Sequence, residues 1–162
     1  MYLLLAGLAA VLIFLYFHYI YRKKSVACLM YHNVFNEKTE GIISEEEFEK
    51  HMEYIKDMKT YKMEELEEMN YILDEKSILV TFDDGYKNNY TKAFPILKKY
   101  NIKATIFLNT AYIGNDRDYL DWDEIKEMYE SGLVDFQLHT HSHYPTIRKP
   151  EVKGVFEKTE GD

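Results

Sequence analysis

Ser77-Ile78-Leu79-Val80-Thr81-Phe82-Asp83-Asp84-Gly85-Tyr86 is an apolar run that ends in two adjacent carboxylates and a glycine. A short apolar run of this kind reads as a buried strand, and Gly85 permits a sharp turn directly after the carboxylate pair. Further along, Leu133-Val134-Asp135-Phe136-Gln137-Leu138 leads into His139-Thr140-His141-Ser142-His143 in the same way. Working outward, residues 26–31 and 104–108 also read as strands. Helix-like segments fall between. Ser44 caps one of them, with Glu47 three residues on, and Phe48, Met52, Ile55 and Met58 share its inner face. A short helix is expected over 63–69, and another over 89–100 that Pro95 either kinks or opens. A third runs from an Asp121 cap to about Glu130 and is ended by Ser131-Gly132. Strands alternating with helices imply an α/β fold with a parallel sheet, and sites in such folds lie at the C-terminal ends of the strands. Both polar runs occupy that position.

The two runs together supply the parts of a mononuclear metal site of the hydrolase type. His139 and His143 are four residues apart, a spacing that lets two imidazoles face the same way on a turn. Neutral imidazole suits Zn, and a carboxylate oxygen would complete a His2Asp set with positions open for water. Two adjacent carboxylates cannot easily play one role, so one would bind the metal while the other stays free as a base or orients the bound water. His141, between the two, reads as a neighbour rather than a ligand. No nucleotide-binding glycine loop, no Gly-x-Ser-x-Gly and no His-Glu-x-x-His competes with this reading.

The composition fits a single globular domain, with 46% apolar and 30% charged residues. A single Cys excludes an internal disulfide framework and a Cys-based zinc site. Arg22, Lys23 and Lys24 are the only charged residues among the first 24, so the rest of the chain is more acidic than the overall net charge of −8. An acidic body argues against nucleic acid as a partner. Residues 2–20 are apolar apart from His18 and approach the ~20 residues a membrane-crossing helix needs. Tyr16, Tyr19 and Tyr21 cluster toward one end, as an interfacial belt would. The chain is therefore expected to divide into a single-pass membrane anchor over 1–24 and a catalytic-type domain over 25–162. The basic triplet after the apolar run would, by the positive-inside rule alone, place the domain in the cytoplasm.

At these residues the chain resembles the polysaccharide deacetylases of carbohydrate esterase family four, the chitooligosaccharide-deacetylase homology domain. Thr81-Phe82-Asp83-Asp84-Gly85-Tyr86 is similar to the first motif of that family, and His139-Thr140-His141-Ser142-His143 to the second. Leu29-Met30-Tyr31-His32-Asn33-Val34 resembles the segment that opens many members. Lys103-Ala104-Thr105-Ile106-Phe107 and Trp122 also sit where such proteins carry similar residues. The resemblance implies a distorted (β/α) barrel, here a partial one, and metal-dependent hydrolysis of N-acetyl groups on an N-acetylglucosamine-containing polysaccharide. It implies Asp83 as the general base and Asp84, His139 and His143 as metal ligands, with Zn as the expected ion and Co, Ni or Fe as alternatives. His32 and Tyr86 are candidates for lining the substrate cleft. The resemblance also places the domain on the extracytoplasmic side of the membrane, against the charge rule. Two family features are not visible. The Arg-x-Pro-aromatic run is absent, since Arg148-Lys149-Pro150 lies too close to the second motif, and no late His follows to act as general acid. The chain thus reads as the N-terminal portion of such a domain, either an active deacetylase or a noncatalytic metal- or glycan-binding remnant of the fold.

Overall fold

The computed structural model describes residues 2–23, 25–36, 43–73 and 75–143. In chain order the elements are α1 (Tyr2–Lys23), β1 (Val26–Tyr31), β2 (Val34–Phe35), β3 (Ile43–Ser44), α2 (Glu45–Ile55), β4 (Lys59–Tyr61) and α3 (Met63–Glu68). Then follow β5 (Ser77–Phe82), a π-helical turn (Asn89–Ala93) that runs into α4 (Phe94–Tyr100), β6 (Ala104–Asn109), α5 (Trp122–Glu130) and β7 (Val134–Thr140). Arg148, Lys149 and Pro150, with the rest of 144–162, lie outside the described residues.

β5 is the centre of a five-stranded parallel sheet ordered β1-β5-β6-β7. Its far edge is shared: β4 pairs with Ser77, Ile78 and Leu79, and β6 takes over at Val80, Thr81 and Phe82. All pairings are parallel, so the C-terminal ends of β1, β5, β6 and β7 open on one rim. The expected α/β architecture is present. Among the described residues the sheet is open, with β1 and β7 as its edges; closing it into a barrel would need further strands between them.

One face of the sheet carries the main core. Val80, Phe82, Ala104, Ile106, Leu108 and Val134 pack against α2, α4 and α5 through Phe48, Met52, Ile55, Phe94, Leu97, Ile125 and Met128. Phe48, Met52 and Ile55 recur at helical spacing on α2, and burying each stabilises by about 1.5–3 kcal/mol. Met58, expected on the same face, is instead 42% exposed, because the helix ends at Ile55. Ser44 caps α2 by accepting from Glu47 N–H. Asp121 and Glu124 form a reciprocal capping box on α5. Pro95 opens α4 rather than kinking it. It has no N–H to offer, and the chain before it widens so that the Phe94 N–H reaches the Asn89 carbonyl five residues back.

The other face is polar at its centre. Thr81, Thr105 and Asp135 stand side by side across β5, β6 and β7, all buried. The start of α3 rests on this row. Met63 N–H donates to Thr105 Oγ1 and Glu64 N–H to Asp135 Oδ2, both at 2.9 Å. Two of the four orphan donors of a helix N-terminus are thus received by the sheet.

α1 is helical as expected, and its described side chains, residues 5–19, are exposed. Among the described residues no helix is long and apolar enough to cross a membrane, so the spanning helix expected over 1–24 finds no support in the structure.

Candidate active site

The rim at the strand ends collects most of the chemistry-bearing residues named above. The β1–β5 ladder continues one step past the strands, with Asp83 N–H donating to the Tyr31 carbonyl. Asp83 therefore leaves β5 in an extended path. Asp84 and Gly85 then both turn into the left-handed region, at φ 72° and 73°. This turn is what separates the two carboxylates. Asp84 swings toward β7, where its Oδ1 lies 3.7 Å from His139 Nε2 and 3.8 Å from His143 Nε2. Asp83 stays toward β1, where its Oδ2 lies 3.9 Å from His32 Nε2.

Asp84, His139 and His143 each offer one donor atom, and the three atoms lie within 4.8 Å of one another. One carboxylate oxygen and two imidazole nitrogens converging from separate strands suit a divalent transition metal such as Zn. The fit is also asymmetric: Asp84 is buried while His143 is 61% exposed, so one side of the group faces solvent. His141 is not part of this group. Its Nδ1 pairs with Thr110 Oγ1 at 2.9 Å, on the exposed outside of the loop.

The loop from His139 to His143 is held from β6 and the residues after it. Thr110 N–H donates to the Thr140 carbonyl, Ala111 N–H to the His141 carbonyl and Tyr112 Oη to the Ser142 carbonyl. Within the loop, His143 N–H donates to Thr140 Oγ1. His143 itself sits at φ 51°, a conformation that the surrounding bonds hold in place.

His32 is placed from below by two asparagines that follow the first motif. Asn89 Nδ2 donates to the His32 carbonyl, and Asn88 bridges Asn33 and the Val34 N–H. Tyr86 sits beside the carboxylate pair in a stack of three rings, Tyr86 on Tyr119 at 5.0 Å and Tyr119 on Tyr112 at 4.6 Å. Burial, and next the Asp84 charge, pushes the Tyr86 hydroxyl up; burial and the neighbouring Tyr86 do the same for Tyr119. Both phenols therefore stay protonated and act as donors. Tyr31, at the end of β1, is pushed up to about 12 by burial and pairs with His51 Nδ1.

All six residues singled out in the sequence thus reach one rim: Asp84, His139 and His143 as one group, Asp83 with His32 beside it, and Tyr86 at the wall. The sequence reading passed over Asn109, Asn88 and Asn89. For Asn88 and Asn89 the signal available was chemical, two adjacent asparagines one residue past the first motif, whose amides need partners when buried; for Asn109 the sequence offers none.

The sequence profile of the family described as polysaccharide deacetylase matches residues 70–160, more than half of the chain. The Bacillus subtilis protein YxkH, provisionally named a polysaccharide deacetylase, is 37% identical over 121 residues, covering 71% of this chain and 42% of its own. The poly-β-1,6-N-acetyl-D-glucosamine N-deacetylase of Staphylococcus aureus is 35% identical over 108 residues, covering 61% of this chain and 37% of its own. The chain spans about two fifths of the length of these curated relatives. Among solved structures, the Streptococcus pyogenes deacetylase PplD in complex with acetate superposes with a TM-score of 0.65 at 31% identity, over 74% of this chain and 57% of that one. With the profile match, the parallel sheet and the rim geometry in agreement, the chain belongs to the polysaccharide deacetylase family.

Proposed function

We propose that this chain carries the metal-binding part of a polysaccharide de-N-acetylase, which hydrolyses the acetamide of N-acetylglucosamine units in a polymer. The observation that carries the reading is the separation of the two adjacent carboxylates. Asp84 is committed to the histidine pair, and Asp83, 21% exposed, is left free beside it on the open side. The names of the Staphylococcus aureus and Streptococcus pyogenes proteins support the substrate class.

Asp84, His139 and His143 would hold the metal, Zn or another divalent ion such as Co, Ni or Fe. Bound there, it would polarise the acetamide carbonyl and bring the pKa of a water toward ~7. Asp83 would accept a proton from the water that adds to the carbonyl carbon. The C–N bond then breaks, acetate leaves, and the amine nitrogen needs a proton. We assign that proton to His32. Its Nε2 lies 3.9 Å from Asp83 Oδ2, and its side chain is 41% exposed. Tyr86 would donate from the cleft wall.

For residues 1–24 we propose an anchoring role distinct from the domain over 25–162, with the domain on the extracytoplasmic side. Its support is the run of exposed apolar side chains on α1, among them Leu8, Leu12, Phe14 and Leu15. Sedimentation of the chain with the membrane fraction is expected, and recovery in the soluble fraction would refute this part.

The test of the enzymatic reading is acetate release from N-acetylglucosamine oligomers with Zn2+ present. Release by the unaltered chain, lost on Asp83→Asn and on His32→Ala, supports the roles given. Release that survives Asp83→Asn would overturn them.

A further inference from the structure

Asn109 ends β6 with a side chain that is 1% exposed, and both of its polar atoms are used. Its Nδ2 donates to Asp84 Oδ1 at 2.7 Å. Its Oδ1 accepts from Thr140 Oγ1, also at 2.7 Å. Thr140 Oγ1 in turn accepts from the His143 N–H at 2.8 Å.

The polarity of this chain has one solution. A backbone N–H can only donate, so Thr140 Oγ1 accepts there and must send its own hydrogen to Asn109. Asn109 then receives on its oxygen and gives from its nitrogen, to a carboxylate that can only accept. An aspartate at 109 would face Asp84 oxygen to oxygen. A leucine would take from Asp84 Oδ1 its amide donor and from the Thr140 hydroxyl its acceptor. The backbone geometry serves the same end. The β6–β7 register slips between Leu108 and Asn109, so Asn109 pairs with Thr140 and His139 is the extra residue of a bulge. Bulges of this kind re-aim side chains at strand ends. Here the slip brings Thr140 opposite Asn109.

We infer that Asn109 is a positioning residue that, through Thr140, fixes Asp84 and His143 relative to one another before any metal arrives. The inference rests on the reading of Asp84, His139 and His143 as metal ligands given above. It assigns to Asn109 the task that partners of metal-binding carboxylates commonly perform, fixing the orientation of the ligand and its remaining lone pair. Oδ1 of Asp84 is the oxygen nearest both histidines, and it is the oxygen that Asn109 holds.

The test uses the full 162-residue chain in detergent, titrated with Zn2+ against a chromophoric chelator and with Co2+ followed by visible absorption. Asn109→Ala and Thr140→Val are each expected to weaken Zn2+ binding by 10–100-fold and to shift the Co2+ bands. Thr140→Ser, which keeps the hydroxyl, is expected to bind like the unaltered chain. The double variant Asn109→Ala/Thr140→Val is expected to be little weaker than Asn109→Ala alone, because both changes break one chain of bonds. Thr140 is exposed, so its Val variant removes the hydroxyl without opening a cavity, and it decides the matter should Asn109→Ala fail to fold. Binding by folded Asn109→Ala and Thr140→Val within twofold of the unaltered chain would overturn the inference and leave the metal centre standing. No Zn2+ or Co2+ binding by the unaltered chain would overturn the centre, and the inference with it.

Discussion

Replacing Gly85 by Ala perturbs the turn on which the separation of Asp83 and Asp84 depends. Gly85 has φ 73°, and a Cβ built there would lie 2.6 Å from Leu108 Cδ2. The left-handed conformation costs an L-residue about 1–2 kcal/mol. The contact with Leu108, which is only 5% exposed, adds an overpacking cost of about 1–3 kcal/mol. The total is about 2–5 kcal/mol, or a fall in Tm of roughly 5–15 °C for a chain of this size. Gly132 is the control. Its φ is 75°, but nothing lies within 4 Å of a Cβ there, so Gly132→Ala should cost only the conformational part, about 1–2 kcal/mol. Thermal unfolding followed by circular dichroism on both variants separates the two contributions. Trimming the obstacle in Gly85→Ala/Leu108→Ala should recover the contact part as a favourable coupling of about 1–3 kcal/mol against the sum of the single changes. A Gly85→Ala variant no less stable than Gly132→Ala would refute the close packing of the turn against β6.

Other consequences follow from single contacts. Asp83→Asn is expected to lower acetate release by about 10²–10⁴-fold while metal content stays that of the unaltered chain; loss of the metal would show that Asp83 is itself a ligand. Asp135→Ala removes the acceptor for the Glu64 N–H beneath α3 and is expected to cost about 1–3 kcal/mol, with Asp135→Asn recovering most of it in a urea titration. Asp121 is held below its ordinary value, first by the Glu124 N–H and then by Lys87. Its folded value lies under its unfolded one, so its contribution is complete above the ordinary carboxylate range and fades as pH falls through the folded value. Asp121→Ala should therefore be about 1 kcal/mol less stable near neutral pH, and the gap should narrow as melts are run at progressively lower pH beneath the ordinary carboxylate range.

Much of this architecture is legible in local pattern. The strands at 26–31, 104–108 and 133–138 and the caps at Ser44 and Asp121 follow from apolar runs and capping chemistry, and the structure contains all of them. The two motifs reach one rim because parallel strands put their C-terminal ends together, which alternation of strand and helix already implies. What local pattern does not carry is the order of strands. Lys59-Thr60-Tyr61 is too short and too polar to read as a strand, and it becomes one only because the first half of β5 has a free edge there. The widened turn before Pro95 was open between two readings, since a missing N–H permits either. Within the site, the sequence could nominate Asp83 and Asp84 together but could not say that φ 72° at Asp84 would send them to opposite sides. Asn109 was invisible for a similar reason. Nothing in Phe107-Leu108-Asn109-Thr110 marks an amide as buried between a carboxylate and a hydroxyl contributed from two other strands. His32 was nominated only as a lining residue; its approach to Asp83 depends on Asn88 and Asn89, which tie its loop down from more than fifty positions away.

The central claim is that Asp84, His139 and His143 together bind one metal ion. Elemental analysis of the purified chain beside Asp84→Ala and His139→Ala tests it most directly. The account requires about one equivalent of a divalent transition metal in the unaltered chain and little in either variant. A folded, unaltered chain that holds no metal after exposure to Zn2+, or variants that hold as much as it does, would contradict it.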